Sequence, residues 1–445
     1  MRKDWLFVIF ISLVMLAFAV VFCALPRSSF SELEKRDLKS FPTFSWQKFA
    51  SGDFNAEVSE WFSDSEPYRD MFMACSMQLK AWMGLNIRSD ENVTFHAPSQ
   101  DDASSVASSQ SSIQDVDDES FVFEDYSNSG VDENVKVANA GVIVVGSAPN
   151  ARALMAFKNH KDGGASYAKV VNKYQKTFGP EINVYCMVIP TAVEFYCPEK
   201  AKSCTEDEFP ILSNFYTLLD DSVHAVDLYS VFSKHVDEDI FLRTDHHWSP
   251  LGAYYAARKF ARVAKVKVPE ISDFESFTID GYVGSMYGYS KDVSIRKSPE
   301  KFVYYKPTNV EYSTIYTKYS LDEKFNIVSE EEPTKGEFFV SVSGSGSAYC
   351  TFMGNDARIT KVETNADCDR KLLLLKDSFG NAIPCFLIGS FKEVHVVDFR
   401  YFTYNIKEYV EQNGITDILM TNNISQVCTG AVSSAYRRFL TQTHQ

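Results

Sequence analysis

Two short stretches of this sequence carry the residue types of a nucleophilic acyl-transfer site. Residues 244–248 read Thr-Asp-His-His-Trp, and residues 376–380 read Lys-Asp-Ser-Phe-Gly. In such a site a histidine removes the hydroxyl proton of a serine, and a carboxylate orients the histidine. We therefore assign Ser378 as the candidate nucleophile, His247 as the base and Asp245 as the orienting acid.

The spacing of Asp245 and His247 suits this pairing. In an extended segment, side chains two residues apart project to the same side. A carboxylate beside a histidine fixes the tautomer of the ring and raises its basicity, as general-base catalysis requires. Ser249 and Pro250 have the residue types of a helix N-cap and first turn, so a helix is predicted to anchor the segment. His246 is expected to point away and to be structural.

Two other interpretations of the histidine segment stay open. It could be a surface loop with incidental histidines. Asp245, His246 and His247 are also metal-ligand types, but metal sites usually draw ligands from wider spacings, and the sequence shows no further cluster of His and Asp. We therefore expect neither a metal nor another cofactor.

Ser378 follows the apolar run Leu-Leu-Leu-Leu and precedes Phe-Gly-Asn-Ala, a pattern that predicts a turn entering a helix. A helix N-terminus presents backbone N–H groups that can stabilise a developing oxyanion, and the N–H of Ser378 is the one donor that we assign. An ordinary helix cap is the alternative for this stretch, and we assign Asp377 to capping.

From residue 140 onward, strands alternate with helices. Near-continuous apolar strands are predicted at 142–145, 183–189, 372–375, 394–397 and 415–420, and helices at 165–178 and 377–390. This alternation predicts an α/β fold with a parallel sheet covered by helices on both faces. Chemistry in such sheets lies at the carboxyl ends of the strands, where Ser378, Arg400 and Tyr401 fall. Arg400 and Tyr401 are candidates for substrate binding, with a solvated strand end as the alternative.

The alternation weakens between about residues 273 and 371, where Gly, Ser and Tyr are frequent. We predict hairpins or an excursion beside the active face. The Ser-Gly stretch at 343–347 is predicted to be a hairpin turn, because no Gly-Lys-Ser/Thr follows it as a phosphate loop would require. The Gly-Asn-Asp sequence at 354–356 is also predicted to be a turn.

Four parts of the chain are predicted from its composition. Residues 1–26 hold a cytoplasmic start and an uncharged run at 5–25, about 31 Å long as a helix and therefore able to span a membrane. Bulky residues at the end of the run favour an uncleaved anchor, and Arg2 and Lys3 place the N-terminus in the cytoplasm. The remaining parts are a membrane-proximal helical segment at 27–87, an acidic Ser-rich disordered insertion at 88–136 and the catalytic domain at 137–445.

The net charge and the spacing of the cysteines argue against several classes of function. A net charge of -15 argues against binding to nucleic acid or to anionic lipid. The cysteines do not form CxxC pairs, which argues against zinc ribbons. Cys197 with Cys204, or Cys350 with Cys368, could form a disulfide in an oxidising compartment.

Three stretches together resemble the bacterial DHHW proteins. They are Asp-His-His-Trp at 245–248, Lys-Asp-Ser-Phe-Gly-Asn at 376–381 and Val-Val-Asp-Phe-Arg-Tyr at 396–401. The segments at 30–36 and 41–42 also resemble the part of these proteins that follows their anchor. DHHW proteins are similar to the alginate O-acetylation enzymes, which have a circularly permuted SGNH-hydrolase-like fold.

The resemblance implies a Ser-His-Asp triad of Ser378, His247 and Asp245. Ser378 would take an acetyl group and pass it to a sugar hydroxyl, with the acetyl group supplied by a multispanning membrane acyltransferase. The sequence departs from the usual SGNH nucleophile block at Lys376, where that block has Gly.

The expected function is that of an extracytoplasmic O-acetyltransferase, or acetylesterase, acting on a cell-envelope or secreted polysaccharide. The chain would be a single-pass membrane protein with its main domain outside the cytoplasm. The alternative is a catalytically inactive carbohydrate-binding or assembly protein with the same fold. Under either hypothesis, aromatic side chains near the site would suit stacking against sugars, namely those of Trp248, Tyr282, Tyr287 and Tyr289.

Overall fold

The fold is described from a computed structural model of the chain. The residues described are 27, 30–31, 36–37, 40–64, 93–96, 141–160, 162–322, 327–342, 345–354, 356 and 358–443. The chain divides into two compact units, residues 1–87 and 88–445. The residues assigned above to the chemistry all belong to the second unit.

Sixteen strands occur in the described residues. In chain order they are β1 (Phe30–Ser31), β2 (Arg36–Asp37), β3 (Val93–His96), β4 (Val142–Val145), β5 (Arg152–Met155), β6 (Asn183–Ile189), β7 (His224–Ala225), β8 (Phe274–Tyr282), β9 (Glu300–Pro307), β10 (Tyr312–Leu321), β11 (Ile327–Glu330), β12 (Thr334–Gly336), β13 (Arg358–Thr364), β14 (Lys371–Lys376), β15 (Glu393–Asp398) and β16 (Asp417–Asn423).

Helices connect and cover these strands. The α-helices of the described residues are Trp46–Ser51, Asp53–Asp64, Ala165–Phe178, Ala192–Tyr196, Phe209–Thr217, Tyr229–Phe232, Pro250–Ala264, Met286–Ser290, Val293–Arg296, Pro384–Leu387, Ile406–Asn413, Ile424–Thr429 and Ala431–Phe439. Short 3-10 helices are Gly179–Glu181, Glu199–Cys204, Ile271–Asp273, Ser345–Thr351 and Ser378–Ala382.

The second unit is built around a mixed sheet whose strand order, within the described residues, is β11-β10-β13-β15-β14-β16-β6-β7, with β12 also paired to β10. The strands β15, β14, β16, β6 and β7 run parallel to one another. The strands β13, β10, β11 and β12 extend the sheet in antiparallel fashion. The mixed α/β class is as predicted, but the sheet is not purely parallel, because the excursion at 273–371 contributes strands to it.

The parallel strands β6, β14, β15 and β16 are buried on both faces, which explains their continuous apolar sequences, whereas both residues of the edge strand β7 are exposed. The side chains of Leu372, Leu373, Leu374 and Leu375 in β14 are 0 % exposed, and every residue of β16 is buried. Hydrophobic residues on both sides of a strand favour cover by helices on both sides of the sheet. The helix Ala165–Phe178 packs on β6, and Ile424–Thr429 packs on β16. These two helices also contact each other.

Several predicted elements differ from the structure. The strand Val142–Val145 is present, but it pairs antiparallel with β3 and β5 in a separate sheet. The strand β3 lies inside the insertion that we predicted to be disordered. It forms because β4 supplies hydrogen-bond partners, which the composition of the insertion does not reveal. Near residue 30, the predicted helical pattern gives way to the short antiparallel pair of β1 and β2. The helices Trp46–Ser51 and Asp53–Asp64 agree with the helical prediction for that segment.

Two predicted local structures near the site are also wrong. Instead of a hairpin turn, the Ser-Gly stretch leads into the 3-10 helix Ser345–Thr351. Instead of one helix over 377–390, a 3-10 helix at Ser378–Ala382 is followed by the short helix Pro384–Leu387. Pro384 has no N–H to donate, so it starts a new helix more readily than it continues one.

Within the described part of the chain, no helix has the length and apolar character needed to cross a membrane. The anchor predicted at 5–25 lies outside the described residues, as does most of the insertion at 88–136. Cys197, Cys204 and Cys368 are free thiols, so the structure contains neither of the two disulfides considered. Cys186, Cys385 and Cys428 are buried, as expected for small core residues.

Candidate active site

Ser378 lies on a tight turn directly after β14, at the carboxyl edge of the parallel strands. Asp377 caps this turn, since its Oδ1 accepts a hydrogen bond of 3.0 Å from the N–H of Phe379. Its Oδ2 accepts hydrogen bonds from the backbone N–H and side-chain amide of Asn423, at 2.7 and 3.0 Å. Asp377 therefore joins the turn to the end of β16, and the capping role predicted for it is confirmed.

His247 lies between Asp245 and Ser378. Its Nδ1 is 2.6 Å from Asp245 Oδ1, and its Nε2 is 2.8 Å from Ser378 Oγ. The backbone N–H of His247 also donates to Asp245 Oδ1 at 3.0 Å. The structure thus brings the three residues assigned to the triad into one buried chain of hydrogen bonds. A base that faces a serine hydroxyl on one nitrogen and a carboxylate on the other is equipped for nucleophilic catalysis.

The histidine segment is anchored by the helix that follows it, as predicted. Ser249 is the N-cap of Pro250–Ala264, and its Oγ accepts a 3.2 Å hydrogen bond from Gly252 N–H. Trp248, directly before this cap, pairs with Phe241 in an isolated antiparallel bridge. These contacts limit the movement of the backbone that carries the base.

Asp245 accepts hydrogen bonds on both carboxylate oxygens. Its Oδ2 accepts from the hydroxyl of Tyr282 and from the backbone N–H of Ser285, each at 2.8 Å. Burial would raise the pKa of Asp245, but the positive charge and hydrogen bond of His247 and the N–H of Ser285 outweigh burial and hold this pKa well below its usual value. Asp245 is therefore ionised over the working pH range, which suits an orienting acid.

Gly284 makes this close approach possible. A Cβ at this position would lie 2.3 Å from Asp245 Oδ2, far inside van der Waals contact. Its N–H donates to Thr244 Oγ1 at 3.1 Å, which fixes residue 284 against the loop that carries Asp245. A side chain at residue 284 would therefore displace the carboxylate.

Tyr349 covers the ring of His247. The two ring centroids are 4.0 Å apart and their planes differ by 8°. The hydroxyl of Tyr349 donates to the carbonyl oxygens of Ser378 and Phe379, at 3.2 and 3.1 Å. Sequence reasoning missed this residue, because it follows a Ser-Gly stretch that indicated only a turn. The sequence analysis also assigned Tyr282 to sugar stacking. In the structure Tyr282 is 1 % exposed, and its hydroxyl is hydrogen-bonded to Asp245.

His246 does not point away from the site, contrary to expectation. Its ring centroid lies 3.9 Å from that of His247, and its Nδ1 is 2.7 Å from Ser285 Oγ. Candidate ligand atoms of Asp245, His246 and His247 lie within 4.8 Å of one another. A metal held by all three would compete for the Asp245 and His247 atoms that form the chain to Ser378. The donor set therefore fits the hydrogen-bonded triad better than it fits an ion.

Beneath the turn, Lys376 takes part in a buried network of charges. Its Nζ lies 2.8 Å from Asp356 Oδ1 and 2.9 Å from Asp398 Oδ2. Arg400 pairs with the same two carboxylates, at 3.0 Å from Asp356 and 2.8 Å from Asp398. Asn381 donates to Asp356 Oδ1 at 2.9 Å. The network links the ends of β14 and β15 to the turn, which gives a physical reason for Lys376 where the SGNH block has Gly.

The network balances its own charges. Burial would lower the pKa of Lys376, but Asp356 and Asp398 more than offset this and raise it. Burial would raise the pKa of Asp356, but Lys376 and Arg400 lower it far below its usual value. Lys376, Arg400 and Asp356 therefore stay ionised, and removal of one charged side chain of the network would leave a buried charge with one partner fewer.

Of the three residues assigned to substrate binding, Trp248 and Tyr401 are buried and Arg400 is half-buried. Trp248 is 0 % exposed and its Nε1 donates to the carbonyl of Phe379 at 2.9 Å. Tyr401 is 2 % exposed, and the guanidinium of Arg400 is held by Asp356 and Asp398. These contacts give Trp248 and Arg400 positioning roles around the turn, and substrate binding by the three residues stays a prediction.

The oxyanion donor assigned to the N–H of Ser378 also stays a prediction. Gly354 adopts a left-handed φ of 80°, in agreement with the turn predicted there, and Asn355 lies outside the described residues. Asp356 points into the charge network and not toward the serine hydroxyl.

This chain is similar in sequence and in structure to known proteins. The family model described as "DHHW protein" matches residues 34–94 and 127–397. The second matched segment contains Asp245, His247 and Ser378, and the unmatched residues 95–126 fall within the predicted insertion. The comparison with curated proteins found no match.

Three solved structures illustrate the similarity. A DHHW family protein from Eubacterium siraeum DSM 15702 is 34 % identical, with a TM-score of 0.59, covering 66 % of this chain and 95 % of that chain. Bacillus cereus PatB1 with a sulfonyl adduct is 18 % identical, with a TM-score of 0.52, covering 65 % and 96 %. The O-acetyltransferase domain of Pseudomonas putida AlgJ is 10 % identical, with a TM-score of 0.39, covering 66 % and 98 %.

The family match and the E. siraeum structure agree with the three motifs that carried the resemblance. The mixed α/β fold is shared with PatB1. The family model spans well over half of the sequence, on both sides of the predicted insertion. The chain belongs to the DHHW protein family.

Proposed function

We propose that this protein is an O-acetyltransferase, or the related acetylesterase, that works through an acyl-serine intermediate on Ser378. The observation that carries the proposal is the buried hydrogen-bonded chain from Asp245 through His247 to Ser378. The order in which Asp245 and His247 precede Ser378 is that of the permuted SGNH-like fold implied by the family resemblance.

The first half-reaction loads the enzyme. Ser378 Oγ attacks the carbonyl carbon of an acetyl ester while His247 Nε2 takes the hydroxyl proton. Asp245, ionised and bonded to Nδ1, stabilises the imidazolium that forms. His247 then gives this proton to the departing alcohol, and the acetyl group stays on Ser378 as an ester.

The second half-reaction transfers the acetyl group from Ser378 to an acceptor. An acceptor hydroxyl loses its proton to His247 Nε2 and attacks the acetyl carbon. The Ser378 Oγ–acetyl bond then breaks, and the proton returns from His247 to Oγ. A sugar hydroxyl as acceptor makes the enzyme a transferase, whereas water makes it an esterase.

The acceptor and setting that we propose follow from the family resemblance and from the N-terminal sequence. The acceptor is a cell-envelope or secreted polysaccharide, and the acetyl donor is a multispanning membrane acyltransferase. The main domain lies outside the cytoplasm, held by a single-pass anchor at residues 5–25. Protease added to intact cells should then digest the main domain, and complete protection would exclude this orientation.

The test of the triad uses the full chain and p-nitrophenyl acetate. Ser378→Ala and His247→Ala should each lower turnover by roughly 10³-fold or more, because members of a triad act as a unit. Ser276→Ala, at an exposed position of β8, is the matched control and should behave as wild type. Intact mass should show an acetyl adduct on wild type and none on Ser378→Ala.

A sulfonyl fluoride provides a second test that needs no acetyl donor. PatB1, which shares the fold, has been observed with a sulfonyl adduct. The reagent should modify wild type once, at Ser378, and should not modify Ser378→Ala. Equal behaviour of wild type and both variants in the two assays would contradict an acyl-enzyme and favour the inactive carbohydrate-binding protein.

A further inference from the structure

One side chain, Tyr349, contacts both the base and the turn of the nucleophile. Its ring lies parallel to the His247 ring at 4.0 Å, and its hydroxyl donates to the carbonyls of Ser378 and Phe379. The residue is 7 % exposed, so these contacts are made away from bulk solvent. Tyr349 therefore joins two segments that come from distant parts of the chain.

The segment that carries Tyr349 is itself well anchored. Phe352 packs against Tyr349 at a centroid distance of 6.0 Å and forms a bridge to Phe339. The N–H of Met353 donates to the carbonyl of Phe338 at 2.8 Å. Because its backbone is fixed in this way, the Tyr349 ring can hold a neighbour in place.

The geometry has two physical consequences for His247. A ring stacked on the imidazole restricts its rotation, so that Nε2 stays directed at Ser378 Oγ. The face of a tyrosine ring also carries partial negative charge and attracts a cation placed over it. The imidazolium formed during acyl transfer would therefore be more favourable beneath Tyr349 than beneath an aliphatic side chain.

The hydroxyl contributes separately. Burial raises the pKa of Tyr349 well above its usual value, so the hydroxyl stays protonated and continues to donate. Its hydrogen bonds to two consecutive carbonyls fix the distance between the base and the turn of the nucleophile. Trp248 donates to the same Phe379 carbonyl at 2.9 Å, so two side chains, Tyr349 and Trp248, hold the turn that carries Ser378.

We infer that Tyr349 is a positioning residue for the acyl transfer proposed above, keeping His247 aligned with Ser378 and stabilising its protonated form. This inference rests on the proposed function. Among the described residues, the titratable groups that contact His247 include Asp245 and His246, and Tyr282 is hydrogen-bonded to Asp245. The charge network of Asp356, Lys376, Asp398 and Arg400 is common to all the variants below and therefore does not affect the comparison.

The test compares Tyr349→Leu, which removes the stack and the hydroxyl, with Tyr349→Phe, which removes only the hydroxyl. Tyr316→Phe is the matched control, because Tyr316 also donates from a buried position to a carbonyl, that of Glu337, and lies in β10, in the antiparallel part of the sheet. The rate of Ser378 modification by a sulfonyl fluoride is measured against pH for the full chain. The titration midpoint of the His247 ring is followed by NMR in the same proteins.

We expect the modification rate of Tyr349→Leu to fall about tenfold and its midpoint to shift to lower pH, because the imidazolium loses the ring face. Tyr349→Phe should keep the wild-type midpoint and react about two- to tenfold more slowly, as loss of a neutral hydrogen bond predicts. Tyr316→Phe should match wild type in both measurements.

A folded Tyr349→Leu with the wild-type rate and midpoint would overturn the inference. If this variant does not fold, a wild-type rate in Tyr349→Phe overturns it instead. If wild type itself is not modified at Ser378, the acyl-enzyme proposal fails, and the His247 midpoint alone decides the role of Tyr349. In that case an unshifted midpoint in Tyr349→Leu would also overturn it.

Discussion

Asp245 shows how much of the site depends on the partners of a single carboxylate. One oxygen faces His247, and the other receives the Tyr282 hydroxyl and the Ser285 N–H. A buried carboxylate that lacked these donors would gain a proton and could no longer stabilise an imidazolium. We therefore expect Tyr282, whose hydroxyl is bonded to Asp245, to influence the basicity of His247.

The change Tyr282→Phe tests this dependence. It leaves Asp245 Oδ2 with the Ser285 N–H, so the pKa of Asp245 should rise from its lowered value and the acid limb of the rate profile should move to higher pH. Because a hydrogen bond to a charged group contributes about 1.5–3 kcal/mol, the rate of Ser378 acylation should fall roughly tenfold or more.

The sign of the accompanying stability change follows from the same shift. A carboxylate with a lowered pKa adds stability above its unfolded value, and this stability is lost as pH falls through the folded value. Tyr282→Phe should therefore be less stable than wild type at neutral pH by urea unfolding. Tyr304→Phe, on the neighbouring strand β9, is the control. An unchanged acid limb in Tyr282→Phe would show that the hydroxyl does not tune Asp245.

Among the elements, the turn after β14 leaves little room for a larger side chain at Gly380. Gly380 lies against the side chain of Lys376, where an added Cβ would come within 2.4 Å of Lys376 Cβ. Lys376 cannot swing aside, because its ammonium is held between Asp356 and Asp398. The turn that carries Ser378 and the charge network below it are therefore fitted to each other.

Gly380→Ala should consequently shift the turn. We expect a loss of about 1–3 kcal/mol in the free energy of unfolding, as for other overpacked sites, together with slower acylation of Ser378. Gly288→Ala in the helix Met286–Ser290 is the matched control, since no atom lies within 4 Å of the added Cβ. Urea unfolding of both variants decides the matter, and equal stabilities would contradict the packing argument.

The stability of the molecule as a whole should depend on pH through Glu208. This side chain is 0 % exposed and accepts hydrogen bonds from the N–H and hydroxyl of Thr191, at 2.8 and 2.5 Å. Burial raises its pKa to about 8, against the opposing effect of the Thr191 hydrogen bonds. Glu208 joins the segment after β6 to the helix Phe209–Thr217, so its protonation bears on the packing of both.

The direction follows from the raised pKa. The folded state holds the proton that the unfolded state has already lost, so the stability from Glu208 is complete below about pH 4.5 and is lost as pH rises toward about 8. Between pH 5 and 8 wild type should lose up to about 4 kcal/mol from this group. Glu208→Gln keeps a neutral side chain of the same shape and should remove that loss. Equally steep unfolding-stability curves for wild type and variant would show that Glu208 is not responsible.

Much of the architecture was accessible from the sequence because it is encoded locally. The strand Asn183–Ile189 and the helix Ala165–Phe178 have the predicted bounds, since continuous apolar runs and helical spacing report on their own segments. The Ser249 cap was readable for the same reason. The pairing of Asp245 with His247 was predictable because two residues of spacing already confine both side chains to one side.

Other features were decided by contacts between distant segments. No local pattern marks Tyr349 or Tyr282 as partners of His247 and Asp245, because both come from the weakly patterned excursion. The strand β4 reads like a parallel strand, and only its pairing with β3 and β5 places it in a separate sheet.

The sequence by itself determined the chemical types of the site, the strand that carries Ser378 and the family to which the chain belongs. The tertiary structure alone decided that Ser378 meets His247, that Lys376 and Arg400 neutralise Asp356 and Asp398, and that Tyr349 covers the base. The physical reason is the sequence distance over which each effect acts. Propensity, capping and periodicity act over a few residues, whereas a hydrogen bond or a stacked ring depends on where the folded chain brings remote side chains together.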